Sequence, residues 1–203
     1  MSPAPSRTSV EAIVAAARRI LEVDGLTAVT MRSVAEAVGV QGPSLYKRVP
    51  DRAALVRAVA DGVVADLAGT LARATETGDP HADLRAVAGT YRDFVHRNPN
   101  GYRLLFADLP AGAAPDPAAL AALAEPIVRA MAALSGQLDA LEGARTFVAW
   151  AHGFVTMELA GAFRLGGDLD AAYAFGIESI LAGVRSPANP ASRSGRRAPR
   201  RTQ

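Results

Sequence analysis

The chain has 203 residues, half of them apolar and 21% charged, so it can form a sizeable core and is not intrinsically disordered over most of its length. It contains no cysteine, which excludes disulfides, thiolate catalysis and cysteine-ligated metal sites. No uninterrupted apolar run reaches the roughly 18 residues that span a bilayer, and the first residues lack the apolar segment of a secretory signal. We therefore expect a cytoplasmic protein with no membrane partner.

Charge is distributed unevenly along the chain. The net charge of +2 divides into +3 over residues 1–60, −6 over residues 61–185 and +5 over residues 186–203, where five arginines stand with no acidic residue. A basic first part followed by an acidic part indicates that the first part meets a polyanion and that the second does not. A charge of +3 over sixty residues is also within ordinary variation, so charge alone leaves both interpretations open.

Hydrophobic periodicity predicts helices along almost the whole chain and no strand. Ser9, Thr30 and Asp51 each precede a periodic segment as candidate caps, and Pro50 stops the third helix. The predicted fold class is therefore all-α, with about nine helices. The helices are expected near residues 9–23, 31–38, 42–49, 52–75, 84–95, 102–106, 118–134, 141–165 and 169–184, with disorder at 1–8 and 186–203.

Residues 30–49 predict a helix, a sharp turn and a short basic helix. Gly39 permits the left-handed backbone that such a turn needs, while apolar side chains beneath the turn can form a small core. The side chains left to point outward suit base edges and phosphates in a DNA major groove. They are Gln41, Ser44, Lys47 and Arg48, with Tyr46 at the edge. Three alternatives stay open: Tyr46 packs under the fourth helix, Ser44 only caps its own helix, and Arg48 and Arg52 form a solvated face.

These residues resemble a known family. The stretch from Thr30 to Val40, followed by Pro43-Ser44-Leu45-Tyr46, is similar in spacing and residue type to the helix–turn–helix of the tetracycline-repressor (TetR) family of bacterial transcription regulators. The chain departs from the family pattern at four positions. Pro43 stands where glycine is usual, Arg48 replaces histidine, Val49 replaces phenylalanine and Arg52 replaces lysine. The substitutions preserve backbone and charge, so they bear on sequence preference more than on DNA binding.

The resemblance implies an N-terminal three-helix helix–turn–helix domain over residues 9–60 and a larger C-terminal helical domain for ligand binding and dimerisation over residues 61–185. It implies that Thr30 caps the second helix and touches a phosphate. It further implies that Gln41, Ser44 and Lys47 approach bases, while Tyr46, Arg48 and Arg52 hold phosphates. The full DNA-binding set is Thr30, Arg32, Gln41, Gly42, Ser44, Tyr46, Lys47, Arg48 and Arg52.

The second part of the chain carries no recognisable catalytic motif. It has no Gly-rich phosphate loop, no Gly-x-Ser-x-Gly elbow and no HExxH pair, and His81, His96 and His152 are too far apart to form a metal pair on one helix face. We therefore expect no enzyme activity, no cofactor and no metal. Three motifs instead resemble the WHG type of TetR C-terminal domain. They are Tyr91-Arg92-x-Phe94, Asn98-Pro99-x-x-Tyr102-Arg103-Leu104-Leu105-Phe106 and Trp150-Ala151-His152-Gly153.

Helices five to eight can enclose a mostly apolar cavity with a few polar groups, which is the usual lining of a small-molecule site. Each candidate side chain can equally belong to the hydrophobic core. The predicted ligand-binding set is Tyr91, Phe94, Tyr102, Phe106, Trp150, His152, Phe154 and Glu158.

The resemblance implies a homodimer that forms through the last two helices and binds a near-palindromic double-stranded DNA operator. A small apolar or aromatic effector is then expected to release this repressor. One alternative is a constitutive DNA-binding regulator without a ligand, whose second part only dimerises. Another is an enzyme or carrier that happens to contain a helix–turn–helix. The arginine-rich segment from Arg193 to Arg201 either adds non-specific attraction to DNA or is inert.

Overall fold

The computed structural model describes residues 9–75, 77–135 and 139–184, and within these ranges every regular element is a helix. This confirms the all-α prediction. The expectations of disorder at 1–8 and 186–203, and the two interpretations of the arginine-rich segment, lie outside the described residues. The helices are α1 (Val10–Asp24), α2 (Met31–Val38), α3 (Gly42–Tyr46), α4 (Arg52–Arg73), α5 (Pro80–Arg97), α6 (Pro99–Leu104), α7 (Pro117–Ser135), α8 (Ala140–Leu159) and α9 (Leu169–Gly183), with a 3₁₀ turn at Leu26–Ala28.

Side-chain caps fix the starts of several helices where the sequence predicted them. Ser9 accepts a hydrogen bond from the Ala12 amide at 3.1 Å, and Asp51 accepts one from the Ala54 amide at 2.8 Å. These bonds satisfy amide groups that have no partner inside the helix, which is why the starts of α1 and α4 could be read from the sequence. Asp79 caps α5 by accepting from the His81 amide at 3.0 Å, so α5 begins at Pro80 and not near residue 84 as predicted.

Two helices, α3 and α8, end well before the residue that periodicity predicts. α3 ends at Tyr46, not Val49, because Pro50 forces the residue before it out of the helical region and so loosens the preceding turn. α8 ends at Leu159, not Leu165, because Gly161 adopts a φ of 63° and its amide bonds back to the Glu158 carbonyl at 2.9 Å. The 3₁₀ turn after α1 was not predicted.

Two buried cores divide the molecule, and α4 runs through both. We call residues 9–60 the head and the described residues after 60 the body. In α4, Leu55, Val59 and Ala60 belong to the head core, whereas Val63 and Leu67 belong to the body core. The 22 residues of α4 span about 33 Å at 1.5 Å per residue. Leu104 and Ala113, from the body in sequence, complete the head core and tie the two parts together.

The helix α7 is long and apolar enough to cross a membrane by length and composition, although Glu125 and Arg129 interrupt its apolar run. Its inner face nevertheless packs against protein. Ile127 and Met131 are buried in the body core, where α7 meets α4, α5 and α8. In this fold α7 is therefore one wall of the body core.

Candidate DNA-binding face and C-terminal cavity

The turn between α2 and α3 depends on Gly39, which has a φ of 71° in the left-handed region. The Val40 amide bonds to the Ala35 carbonyl at 3.0 Å and closes the turn. Leu45, fully buried, anchors α3 in the head core. Because α3 has this single buried residue, its other side chains are free to face outward.

The predicted recognition side chains lie on this outward surface. Gln41, Lys47 and Arg48 are exposed, and Tyr46 is 54% exposed, which contradicts the alternative of Tyr46 packed under α4. Gln41 occupies the N-cap of α3, so Ser44 is not the cap; within the described residues α3 has no side-chain cap bond at all. The structure therefore leaves these donors available for a ligand outside the chain.

Three other predicted residues have partners inside the head. Thr30 forms a capping box with Ser33, in which each side chain accepts from the other residue's amide, at 3.0 and 3.1 Å. Arg52 is half-buried and donates to the carbonyls of Val29 and Leu26 at 2.7 and 2.8 Å, so it does not form a solvated face. Arg52 thus fixes the segment before α2. Exposed Arg32 pairs with Glu36 at 2.9 Å, and Gly42 begins α3.

A cavity of about 210 Å³ lies in the body between α4, α5, α7, α8 and the turn after α6. We call it the inner cavity. Of its lining residues, Tyr91 alone has a polar side-chain atom, and Tyr91 and Phe106 were predicted from the sequence. The lining consists of Leu67, Leu71, Val87, Tyr91, Phe106, Leu120, Leu123, Ala124, Ile127, Phe147, Val148 and Ala151.

Tyr102 and His152 connect to the inner cavity through hydrogen bonds. The Tyr91 hydroxyl bonds to the Tyr102 hydroxyl, which also bonds to His152 Nδ1. Burial raises the pKa of Tyr91 well above its usual range and raises that of Tyr102 to about 12. Both phenols therefore stay neutral at physiological pH, and the three side chains form a continuous chain of polar groups beside an apolar space.

The remaining four predicted ligand residues do not line the inner cavity. Phe94 is buried in the core at 5% exposure, and Trp150 and Phe154 lie against Tyr173, with ring centroids 5.4 and 5.1 Å away. Glu158 bonds to an arginine described below. The geometry of α8 accounts for these positions, because Phe147, Val148 and Ala151 face the cavity whereas Trp150 and Phe154 project toward α9. A role of the four remaining residues in ligand binding stays a prediction.

Glu158 belongs to a charged cluster that joins α5, α8 and α9. It accepts from Arg92 Nε at 2.9 Å and lies 3.0 Å from His96 Nε2, while Arg92 also donates to Asp170 at 2.7 Å. The side chain of Glu158 is 10% exposed. The bond from Arg92 lowers the pKa of Glu158. Only folding brings Arg92 to Glu158, so this partner could not be identified from the sequence, which predicted a ligand contact instead.

A second, open pocket of about 420 Å³ lies between α7 and α8 and shares four lining residues with the inner cavity. We call it the outer pocket. The shared residues include Phe106, which is 62% exposed and lies 4.4 Å from the His152 ring. Phe106 and Val148 therefore stand between the inner cavity and solvent.

The beginning of α6 is bound to the head by Glu22 of α1. Glu22 accepts from the amides of Asn100 and Gly101 at 3.1 and 2.9 Å, and Asn100 Nδ2 donates to the Glu22 carbonyl at 2.9 Å. A Cβ at Gly101 would lie 2.6 Å from the Glu22 carboxylate, so a side chain at this position would displace the carboxylate from these bonds. Sequence reasoning missed this contact and placed Gly101 outside the helix that it predicted near residues 102–106.

Comparison with known proteins supports the same two-part organisation. Residues 13–59 match the family model described as bacterial regulatory proteins, tetR family, and residues 84–180 match the one described as tetracyclin repressor-like, C-terminal domain. Among solved structures, a protein from Rhodococcus sp. RHA1 is 24% identical, with a TM-score of 0.76 and coverage of 90% of this chain and 97% of that one. That likeness shows the fold.

Two further relatives are named as regulators. A TetR variant from Acinetobacter baumannii AYE, solved in complex with minocycline, is 27% identical, with a TM-score of 0.61 and coverage of 85% and 94% of the two chains. The HTH-type transcriptional regulator Rv0681 of Mycobacterium tuberculosis is 32% identical over 162 residues, which cover 77% of this chain and 73% of the relative. Together with the family models, this relationship shows that the chain belongs to the TetR family and is a DNA-binding transcriptional regulator, not an enzyme.

Proposed function

We propose that the chain is a homodimeric, cytoplasmic repressor that a small apolar or aromatic effector releases from a near-palindromic operator. The observation that carries this proposal is the position of α6. Its first residues bond to Glu22 in the head, and Phe106, which follows its last turn, lines the inner cavity. An occupant that moves Phe106 therefore acts on an element that is directly attached to the head.

α4 supplies a second connection between the cavity and the head. Leu67 and Leu71 line the inner cavity, while Leu55 and Val56 at the other end pack in the head core. An effector changes the DNA-binding population only by its different affinity for the competent and incompetent arrangements of these helices. Spin labels on α4 and on α1 should report a changed distance when an effector binds; an unchanged distance would contradict release by this route.

The DNA contacts that we propose follow from the outward position of α3 and the residues beside it, where Ser44 is half-buried and the other side chains that we expect to contact DNA are exposed. Gln41, Ser44 and Lys47 approach base edges, whereas Tyr46 and Arg48 contact phosphates. Thr30 and Arg52 contribute mainly by positioning the recognition helix, since their side chains bond within the head.

The dimer that we propose forms through α8 and α9. Met157 and Phe175 are 48% and 76% exposed, an apolar surface that a second copy of the chain would bury. Phe175→Glu should yield a monomer in sedimentation experiments, because the dimer would bury the new charge. Val23→Glu, at an equally exposed apolar position in the head, serves as the control that stays dimeric.

Selection of genomic DNA fragments by the purified protein, followed by anisotropy at several salt concentrations, tests DNA recognition. We expect a palindrome with half-sites about one helical turn apart and a log–log salt slope of roughly −5 or steeper. Fragments without a consensus would contradict the operator. If a broad compound library leaves both melting temperature and operator affinity unchanged, the constitutive regulator becomes the better account.

A further inference from the structure

The lining of the inner cavity restricts the charge of a molecule that it can bind. No charged side chain of the described residues lines it, and its walls are apolar except at the Tyr91 hydroxyl. An ionised group placed there would lose its hydration without gaining a charged partner. The lining therefore selects against carboxylates, phosphates and ammonium groups.

The volume of the inner cavity limits the size of the occupant. An apolar protein cavity of about 150 Å³ holds benzene. A cavity of about 210 Å³ therefore suits roughly nine non-hydrogen atoms, a single ring with a few substituent atoms. A larger molecule would have to extend past Phe106 and Val148 into the outer pocket.

The Tyr91 hydroxyl is the polar group of the cavity lining, and it can either accept or donate a hydrogen bond. When His152 Nδ1 accepts from Tyr102, Tyr102 can accept from Tyr91, and the Tyr91 oxygen is left to accept from an occupant. When Nδ1 donates, the chain reverses and the Tyr91 hydroxyl is left to donate. The cavity can therefore satisfy either an alcohol or a carbonyl group.

We propose that the inner cavity binds uncharged single-ring molecules, aromatic or alicyclic, that carry one hydroxyl or carbonyl oxygen bonded to Tyr91. The ring lies among the side chains of α4, α7 and α8, and entry is past Phe106. Binding of such a molecule does not depend on the proposed function. Only its identification as the effector rests on that function.

Calorimetric titration of the full chain with three probes of similar size tests the chemistry directly. Para-cresol has a hydroxyl, ethylbenzene has no oxygen, and benzoate is charged at neutral pH. We expect para-cresol to bind at least about ten-fold more tightly than benzoate, because desolvation of the carboxylate is uncompensated. Equal binding of the two, or no binding of para-cresol, would overturn the proposal.

Tyr91→Phe separates the hydrogen bond from the shape of the cavity. It should weaken para-cresol binding about five-fold and leave ethylbenzene binding unchanged within a factor of about two. Tyr173→Phe is the matched control, since its buried hydroxyl bonds to the Ala88 carbonyl in the same core and does not line the cavity. If Tyr91→Phe weakens both probes equally, the attachment to Tyr91 is wrong.

A filling variant locates the site without removing any polar group. Ala124 is half-buried and lines both the cavity and the outer pocket, so Ala124→Phe should abolish para-cresol binding. Ala122→Phe, on an exposed position of the same helix, should bind normally. Undiminished binding by Ala124→Phe would overturn the assigned site. Operator affinity is measured separately, so para-cresol that binds in the cavity without releasing DNA would contradict the proposed effector response alone.

Discussion

The head and the body build their cores from different side chains, and the inner cavity lies in the part whose core contains aromatic rings. Among the described residues, the buried head core consists of alanine, valine, leucine and isoleucine. The body core also contains Phe94, Tyr102, Phe147 and Tyr173. Small aliphatic side chains can fill the space between short helices, whereas the inner cavity lies among the larger rings of the body.

The head and the body also differ in where their polar side chains point. The head directs Lys47 and Arg48 outward, and its inward Thr30 and Arg52 bond to the backbone. The body turns a phenol–phenol–imidazole chain and the Arg92–Glu158 pair inward. The head therefore presents donors at its surface, whereas the body pairs these polar groups with one another inside. The following predictions test this difference, from the largest expected change in stability to the smallest.

Truncation in the head core should have the largest effect. Leu45 is fully buried and anchors α3, so Leu45→Ala should lower the free energy of unfolding by about 3 kcal/mol and weaken DNA binding. Urea denaturation measures the first effect. Leu165→Ala, at a fully exposed leucine, should change stability by less than about 0.5 kcal/mol. A loss below about 1 kcal/mol for Leu45→Ala would contradict a tightly packed head.

The buried ion pair of the body should make stability depend on pH. Arg92 lowers the pKa of Glu158, so the pair stabilises the fold above the unfolded pKa of about 4.3 and loses its effect as pH falls through the lower folded value. At neutral pH Glu158→Gln should cost about 2 kcal/mol, since Arg92 keeps Asp170 as a partner.

Denaturation at several pH values checks this dependence. The difference between wild type and Glu158→Gln should shrink in acid. Glu125→Gln removes an exposed pair with Arg129 and should cost at most about 0.5 kcal/mol at any pH. A Glu158 effect that does not vary with pH would show that the ion pair is not its cause.

Loss of the α2 cap should have a smaller effect. Thr30 accepts from the Ser33 amide at 3.0 Å, and Thr30→Ala should destabilise the protein by about 1 kcal/mol. Thr27→Ala is the matched control at an exposed threonine of the 3₁₀ turn. Thermal melting compares the two, and equal melting temperatures would be inconsistent with a contribution from the capping box.

Lys47→Ala should leave stability almost unchanged, since the side chain is exposed. Operator affinity should fall about ten-fold, with a salt slope shallower by up to about one unit if Lys47 also neutralises a phosphate. Arg52→Ala, the comparison variant, should instead lose about 1 kcal/mol of stability, because the carbonyls of Val29 and Leu26 lose their donor. If Lys47→Ala melts early or binds DNA normally, the recognition role of α3 fails.

Local signals were enough to predict the head almost completely. Caps at Ser9, Thr30 and Asp51, the glycine at the turn and the spacing of apolar residues each act within a few positions of the chain. The early end of α3 was missed because the effect of Pro50 on the preceding turn competes with favourable helical periodicity.

In the body, local sequence signals were not sufficient to predict the side-chain contacts. Tyr91 and Phe106 line the inner cavity as predicted, but Trp150 and Phe154 turn toward α9, and periodicity alone does not say which neighbour an apolar face meets. Gly176 makes that neighbour possible, because a Cβ there would lie 1.9 Å from the Trp150 ring. The contact between α8 and α9 therefore depends on a close approach of the two helices, which no short sequence motif predicts.

Propensity, capping and spacing over short distances were enough to predict the all-α class, the helix–turn–helix and the family. Only the folded arrangement of the helices makes Arg52 and Glu158 internal partners, attaches α6 to Glu22 and leaves the inner cavity with one polar group. Those properties depend on contacts between side chains that are tens of residues apart in the chain. The packing of whole helices against one another determines which of these contacts form.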